Sequence, residues 1–284
     1  MNKTSAANRA VILRCLTDGM GVRATARTAG VTKGTVLRLL VEAGEFAAFY
    51  SDFRVRGLSI PRIEMDEQWS FVSAKDRRAT KPGQGSIWTF ACLASDTKLV
   101  VSWLVGDRSR ESTDAFVADA ASRTLGITQI TTDGWGPYHE AISRHFTWRR
   151  ADYAIVIKSY DVADDEEKRR YGPAKCTGVQ KFKVMGNPDM AKATTSYIEN
   201  VNTQTRQRCR RFTRLTSMHS KKALNHMHAV ALNFFAHNFM RVHGTLSKEQ
   251  GKPTTPAMMH GLASRPWTAE DLVAAIDPTA VTIK

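Results

Sequence analysis

Apolar and polar positions divide the 284-residue chain into a helical beginning, a strand-rich middle and a helical end. From Asn8 to Leu16, apolar residues recur at Ala10, Leu13 and Leu16, with Val11 and Cys15 beside them, and Asp18-Gly19 and Gly21 stop the repeat, which is helical spacing with a terminator. A second short helix is expected over Val22 to Ala29. Gly30-Val31 then turns the chain, and Thr32 caps a third helix over Lys33 to Ala43 that carries Val36, Leu37 and Leu40 inward. Glu42 to Ser59, with Gly44 and Gly57, reads as a polar and aromatic connector. Ile63, Met65, Trp69, Phe71 and Val72 make Arg62 to Val72 a strand. A basic turn closed by Pro82-Gly83 leads into strands over Ser86 to Ser95 and Lys98 to Val105, and connections this short predict an antiparallel meander. A helix over Glu111 to Leu125, a strand over Thr128 to Thr132, a helix near Tyr138 to His145 and a strand over Tyr153 to Lys158 follow. The order is that of an α/β fold with a mixed sheet. Residues 159–190, with a charged run, Gly172-Pro173, Gly178, Gly186 and Pro188, read as an insertion or long loop. Helices over Ala193 to Leu215 and Lys221 to Val242, and a short one near Ala269 to Ile276, complete the chain.

Three acids stand out against this pattern. Asp66 and Glu67 sit mid-strand, where successive side chains point to opposite faces, so one carboxylate can face a site while its neighbour faces elsewhere. A carboxylate in a core strand is expensive to bury unless it meets a cation or a metal. Asp133 ends the third predicted strand after this one, just before the turn formers Gly134, Gly136 and Pro137, and Glu199 lies in a later helix. A strand acid, a strand-end acid and a helix acid suit a site for two divalent cations, and all-oxygen donors select Mg²⁺ or Mn²⁺ rather than zinc. Such a site performs in-line displacement at a phosphodiester. Arg206 follows Glu199 by two helical turns on the same face, where it can hold a phosphate, and Arg208, Arg210, Arg211 and Arg214 extend the basic surface.

The charge agrees with that chemistry. Lys+Arg number 41 against 27 Asp+Glu, a net charge of +14, which calls for a polyanionic partner, nucleic acid first and an anionic membrane second. Cys15, Cys92, Cys176 and Cys209 form no C-x-x-C pair, so no zinc ribbon is predicted. His226, His228, His237 and His243 are scattered around a helix, as packing or DNA-facing groups rather than metal ligands. No apolar run of spanning length and no signal segment is present, so a soluble cytoplasmic protein is expected. Residues 26–36 have the Ala, Gly and Val spacing of a helix-turn-helix, with Lys33, Thr35 and Arg38 toward DNA; a plain helical hairpin is the alternative.

The blocks Met65-Asp66-Glu67-Gln68-Trp69, Thr132-Asp133-Gly134-Trp135-Gly136-Pro137-Tyr138 and Tyr197-Ile198-Glu199-Asn200 with Arg206 resemble the three acidic blocks of the bacterial insertion-sequence-one family of transposases, of the DDE class. The resemblance spans about residues 60 to 245; many relatives carry Glu-Arg where this chain has Glu199-Asn200. It implies a ribonuclease H-like (integrase-core) domain with a mixed sheet flanked by helices and Asp66, Asp133 and Glu199 as ligands of two Mg²⁺ or Mn²⁺ ions. It also implies double-stranded DNA, both transposon ends and target, as partner, a homodimer or larger synaptic assembly, and residence with the nucleoid. The expected division is a helix-turn-helix domain over residues 1–45, a linker over 46–59, a catalytic domain over 60–245 with the insertion at 159–190, and a tail over 246–284. The expected function is binding of terminal repeats with metal-dependent cleavage and strand transfer. A catalytically silent DNA-binding regulator, or a ribonuclease H-like nuclease without strand transfer, are the alternatives, and the presence of all three acids argues against the silent one.

Overall fold

The strand that carries Asp66, Arg62–Val72 (β1), lies inside a six-stranded mixed sheet. In the computed structural model, which describes residues 4–147, 150–161, 176–213 and 217–277, the meander is completed by Gly85–Ala94 (β2) and Val100–Gly106 (β3), each antiparallel to its predecessor. On its other side β1 pairs in parallel with Thr128–Thr132 (β4), and β4 pairs in parallel with Ala151–Tyr160 (β5). The sheet order is β3-β2-β1-β4-β5 followed by a sixth strand, Cys176–Met185 (β6), antiparallel to β5. This arrangement is compatible with the ribonuclease H-like fold that the resemblance implies.

The sixth strand corrects the reading of residues 159–190 as an insertion. Residues 176–185 belong to the sheet, and the part of the insertion over 162–175 lies outside the described residues. An edge strand has one neighbour and buries little. Lys181, Lys183 and Gly178 therefore sit in it without penalty, and most of its positions are exposed.

Helices cover both faces. Arg110–Arg123 (labelled α4, counting the three amino-terminal helices given below) and Pro137–His145 (α5) pack on one, where Phe90 of β2 meets Phe116, and Phe116 meets Tyr138, with ring centroids 5.5 and 6.5 Å apart. Ser196–Arg208 (α6) and Ala223–Phe235 (α7), the latter continued by a π-helical turn over Ala236–Met240, lie on the other. The helix expected over Ala193 to Leu215 stops at Arg208 because Cys209 turns extended (φ −120°, ψ 97°), which puts Phe212 in the core.

The amino-terminal helices are Ala6–Thr17 (α1), Val22–Thr28 (α2) and Lys33–Arg54 (α3). The connector expected over 46–59 is helix as far as Arg54. Gly44 does not break α3, since a single interior glycine costs a helix only ~1 kcal/mol, and here the missing side chain lets α3 approach α7. A Cβ on Gly44 would lie 2.4 Å from His228 Cβ and 2.6 Å from its Cα. Below that contact Phe46 and Tyr50 enter an aromatic cluster with Phe235, Phe239 and Trp267, Tyr50 lying 5.2 Å from Phe239 and 5.1 Å from Trp267. Two short helices, Gly244–Gln250 (α8) and Ala269–Ile276 (α9), close this side. The histidines of α7 serve packing: His226 bridges Ser220 and Ser70, and His237 bonds the Lys98 carbonyl.

Gly44→Ala is expected to destabilise the protein by about 1–3 kcal/mol through overpacking, although alanine is the better helix former. Equilibrium denaturation of the full chain checks this; a neutral or stabilising substitution contradicts the α3–α7 contact.

Candidate active site

The β1–β4 ladder ends at the pair Met65↔Thr132, so the next residues of both strands, Asp66 and Asp133, emerge together where β1 has no neighbour on that side. Even-numbered residues of β1 face α6 and odd-numbered ones face α5. Asp66 Oδ2 accepts from Asn202 of α6 at 2.8 Å, while Glu67 Oε2 accepts from the Tyr138 hydroxyl of α5 at 3.0 Å. The opposite facing of the two acids is as the strand geometry requires. The expectation that only one of them reaches the site is corrected: carboxylate oxygens of Asp66, Glu67 and Asp133 all lie within 4.8 Å of one another.

The three carboxylates differ in their neighbours. Glu67 is spoken for: Arg108 donates to its Oε1 at 2.8 Å through Nε, and a terminal nitrogen of the same guanidinium forms an ion pair with that oxygen at 2.5 Å. That guanidinium is held between Trp135 and Trp88, 4.0 and 4.7 Å from their ring centroids. Among the described residues the Asp133 carboxylate accepts only from the backbone N–H of Trp135, at 3.0 Å, in an Asx turn. Asp66 accepts from the N–H of Glu67 at 2.8 Å besides Asn202. Neither Asp66 nor Asp133 has a cation partner among the described residues. Burial, and then the charges of Glu67 and Asp133, push Asp66 up to about 7, and burial with the Asp133 charge raises Glu67 despite Arg108.

Glu199 stands in the first turn of α6 and adds its charge to the field on Asp66, but it is not in the 4.8 Å cluster. Its Oε1 accepts from Lys158 Nζ of β5 at 2.6 Å and from Thr195 Oγ1 at 2.8 Å. The helix that carries it is anchored by an acid that sequence reasoning missed. Glu64 is 1 % exposed; its Oε2 accepts the N–H groups of Tyr197 and Ile198 at 3.0 and 2.9 Å, and its Oε1 the Ser95 hydroxyl at 3.1 Å. A buried carboxylate thus caps the amino-terminus of α6, where the N-cap residue Thr195 makes no capping bond of its own. Glu64 and Asp66 are two apart on one strand, so their shared face was visible in the sequence; Arg108, Lys158 and Asn202 gave no comparable signal.

The donor set fits hard divalent cations, since the group found among the described residues is made of carboxylate oxygens. Asp66, Glu67 and Asp133 are the described acids whose oxygens lie close enough to share an ion.

Of the residues expected to face DNA, Lys33 and Arg38 on the first turns of α3 are exposed and Thr35 is partly so, its backbone N–H capped by Thr32. Arg206 is partly buried on α6. Three others have protein partners: Arg208 lies 3.9 Å from Asp18, Arg210 donates to the Gly19 carbonyl at 2.9 Å, and Arg211 donates to Ser220 Oγ at 3.0 Å with its pKa pushed down by burial. Arg214 lies outside the described residues.

Residues 60–170 match the protein family described as IS1 transposase, a stretch that contains Asp66 and Asp133 and stops short of Glu199. No curated protein matches the chain.

The raised Asp66 sets a pH dependence. The fold binds this proton more tightly than the unfolded chain, so the ion-free fold keeps that contribution below the ordinary carboxyl value of 3.8 and loses it as pH rises to about 7. Asp66→Asn should therefore raise the Tm of ion-free protein at pH 8 relative to wild type, flatten its decline between pH 5 and 8, and abolish stabilisation by Mn²⁺. Thermal melts in chelator and in Mn²⁺ test all three.

Proposed function

We propose, taking residues 60–170 as those of an IS1-type DDE transposase, that this chain binds the terminal repeats of an insertion sequence and cuts and joins DNA at the Asp66, Asp133 and Glu199 site. The observation that carries the reading is the meeting of Asp66 and Asp133 carboxylates at the shared end of two parallel strands, with no cation partner of their own among the described residues. Two Mg²⁺ or Mn²⁺ ions held there would activate a water or 3′ hydroxyl and stabilise the departing oxygen of a phosphodiester.

Around that chemistry each side chain has a task. Asn202 and the Glu67 N–H orient Asp66, and the Asx turn at Trp135 fixes Asp133. Glu64 locks the start of α6, which presents Glu199 from across the site. Arg108 and Tyr138 engage both carboxylate oxygens of Glu67, so that it shapes the field without serving as a ligand. The exposed start of α3 suits the reading helix of a helix-turn-helix, with Lys33, Thr35 and Arg38 toward the groove, and Arg206 suits a phosphate contact two turns beyond Glu199. Synapsis of two ends calls for at least a dimer. The net charge of +14 supports a nucleic-acid partner.

Asp66→Ala, Asp133→Ala and Glu199→Ala should each lower cleavage and joining of a repeat-ended duplex by at least about a hundredfold and leave DNA affinity nearly unchanged. Glu67→Gln should cost much less. A gel assay with the flanking repeats reads both steps: joining of a 3′ end to a second duplex separates a transposase from a nuclease, and a complete lack of cutting by the wild type favours the silent regulator.

Lys33→Ala combined with Arg38→Ala should cost roughly 1–3 kcal/mol of affinity for repeat-ended DNA and little for random duplex. Equal losses on both would sink the assignment of sequence reading to α3.

A further inference from the structure

Lys158 has no assigned task. It lies on β5, its side chain is 16 % exposed, and its ammonium donates to Glu199 Oε1 at 2.6 Å. No other hydrogen bond to this ammonium occurs among the described residues. Charge accounts for the pairing. Asp66, Glu67, Asp133 and Glu199 gather at one end of the sheet, and two cations are set among them, Arg108 on Glu67 and Lys158 on Glu199. The two cations are built differently. Arg108 is clamped between two indole rings and meets its partner through both Nε and a terminal nitrogen. Lys158 reaches Glu199 through a single flexible stem, and that carboxylate is 42 % exposed, so the pair opens to solvent. Two residues along the same strand, and so on the same face, Tyr160 is 49 % exposed and its phenol feels the charges of Glu199, Lys158 and Asp66. A lysine beside an exposed aromatic ring on the rim of an acidic site is the pairing that nucleic-acid backbones meet on binding surfaces, the cation for a phosphate and the ring for a base.

We infer that Lys158 touches substrate: its ammonium neutralises Glu199 while the site is free of divalent ions, and passes to a DNA phosphate once an ion takes the Glu199 carboxylate. The inference rests on the two-ion reading of the site. No bond is made or broken in the exchange; an ammonium trades one anionic oxygen for another, and Glu199 becomes available as a ligand. The consequence is that Lys158 opposes ion binding and assists DNA binding, two effects of opposite sign that a merely structural lysine would not show.

The test uses the full chain. Titration calorimetry of ion-free protein with Mn²⁺ should show Lys158→Met binding the ion about tenfold more tightly than wild type, the scale on which groups behind metal ligands act. Binding of a random-sequence DNA duplex across a salt series should show the opposite sign: with Ca²⁺ present, Lys158→Met should reduce the slope of log K against log salt by about 0.9, one phosphate contact, and with chelator present it should not. Lys158→Arg should keep the slope. If Lys158→Met does not fold, as judged by circular dichroism, Lys158→Gln carries the same measurements. A variant that weakens Mn²⁺ and DNA together, or changes neither, overturns the role given to Lys158. Failure of wild type to bind Mn²⁺ at all would instead overturn the two-ion reading beneath it.

Discussion

Repulsion between carboxylates is the constraint that the centre of this molecule is built to withstand. Two like charges about 4 Å apart repel by ~4 kcal/mol at an effective dielectric of 20, and the oxygens of three acids crowd within 4.8 Å of one another where β4 stops. The surrounding structure answers each one separately. Glu67 receives a clamped guanidinium and a phenol, Asp133 a backbone N–H, Glu199 a lysine, and Asp66 an amide and a backbone N–H that leave most of its burden in place. Burial, and then the charges of Glu67 and Asp133, push Asp66 up to about 7, and Glu67 is raised as well despite its guanidinium.

That tension needs a stiff frame. β1 is paired on both sides up to Met65 and, until a bridge from Val72 to Ser220, on one side beyond it, so its backbone is fixed while its acids are free to point past the edge of β4. The α6 helix is tied to the same strand three times, by Glu64 at its first N–H groups, by Asn202 to Asp66, and by Gln68 to the Asn202 carbonyl at 3.0 Å. Helix and strand therefore hold their acids in one register, although 133 positions of sequence separate Glu64 from Tyr197.

Much of this was legible in the chain. The apolar alternation around Asp66, the turn formers after Asp133 and the helical spacing around Glu199 all report local backbone preference, and local preference shapes the central strands as it shapes the sequence. What escaped was set by partners distant in sequence. Gly44 looked like a breaker because its reason is His228, and 176–185 looked like loop because an edge strand need not be apolar. Lys158 and Arg108 carried no signal of their own because the acids they answer come from other elements. The pairing of Glu199 with Lys158 rather than with Asp66 and Asp133 is likewise a matter of tertiary charge balance, which no spacing encodes.

The close packing of the amino-terminal helices has a geometric consequence. A Cβ on Gly19 would lie 2.7 Å from the Gln207 carbonyl at the far end of α6, as one on Gly44 would strike α7, so backbone rests on backbone at two separate places. If α3 reads DNA as proposed, its distance from the acids is that of a caliper and not of a leash: the bond to be cut would fall at one fixed step from the sequence recognised, and tolerance for a longer or shorter spacer would have to come from bending the duplex.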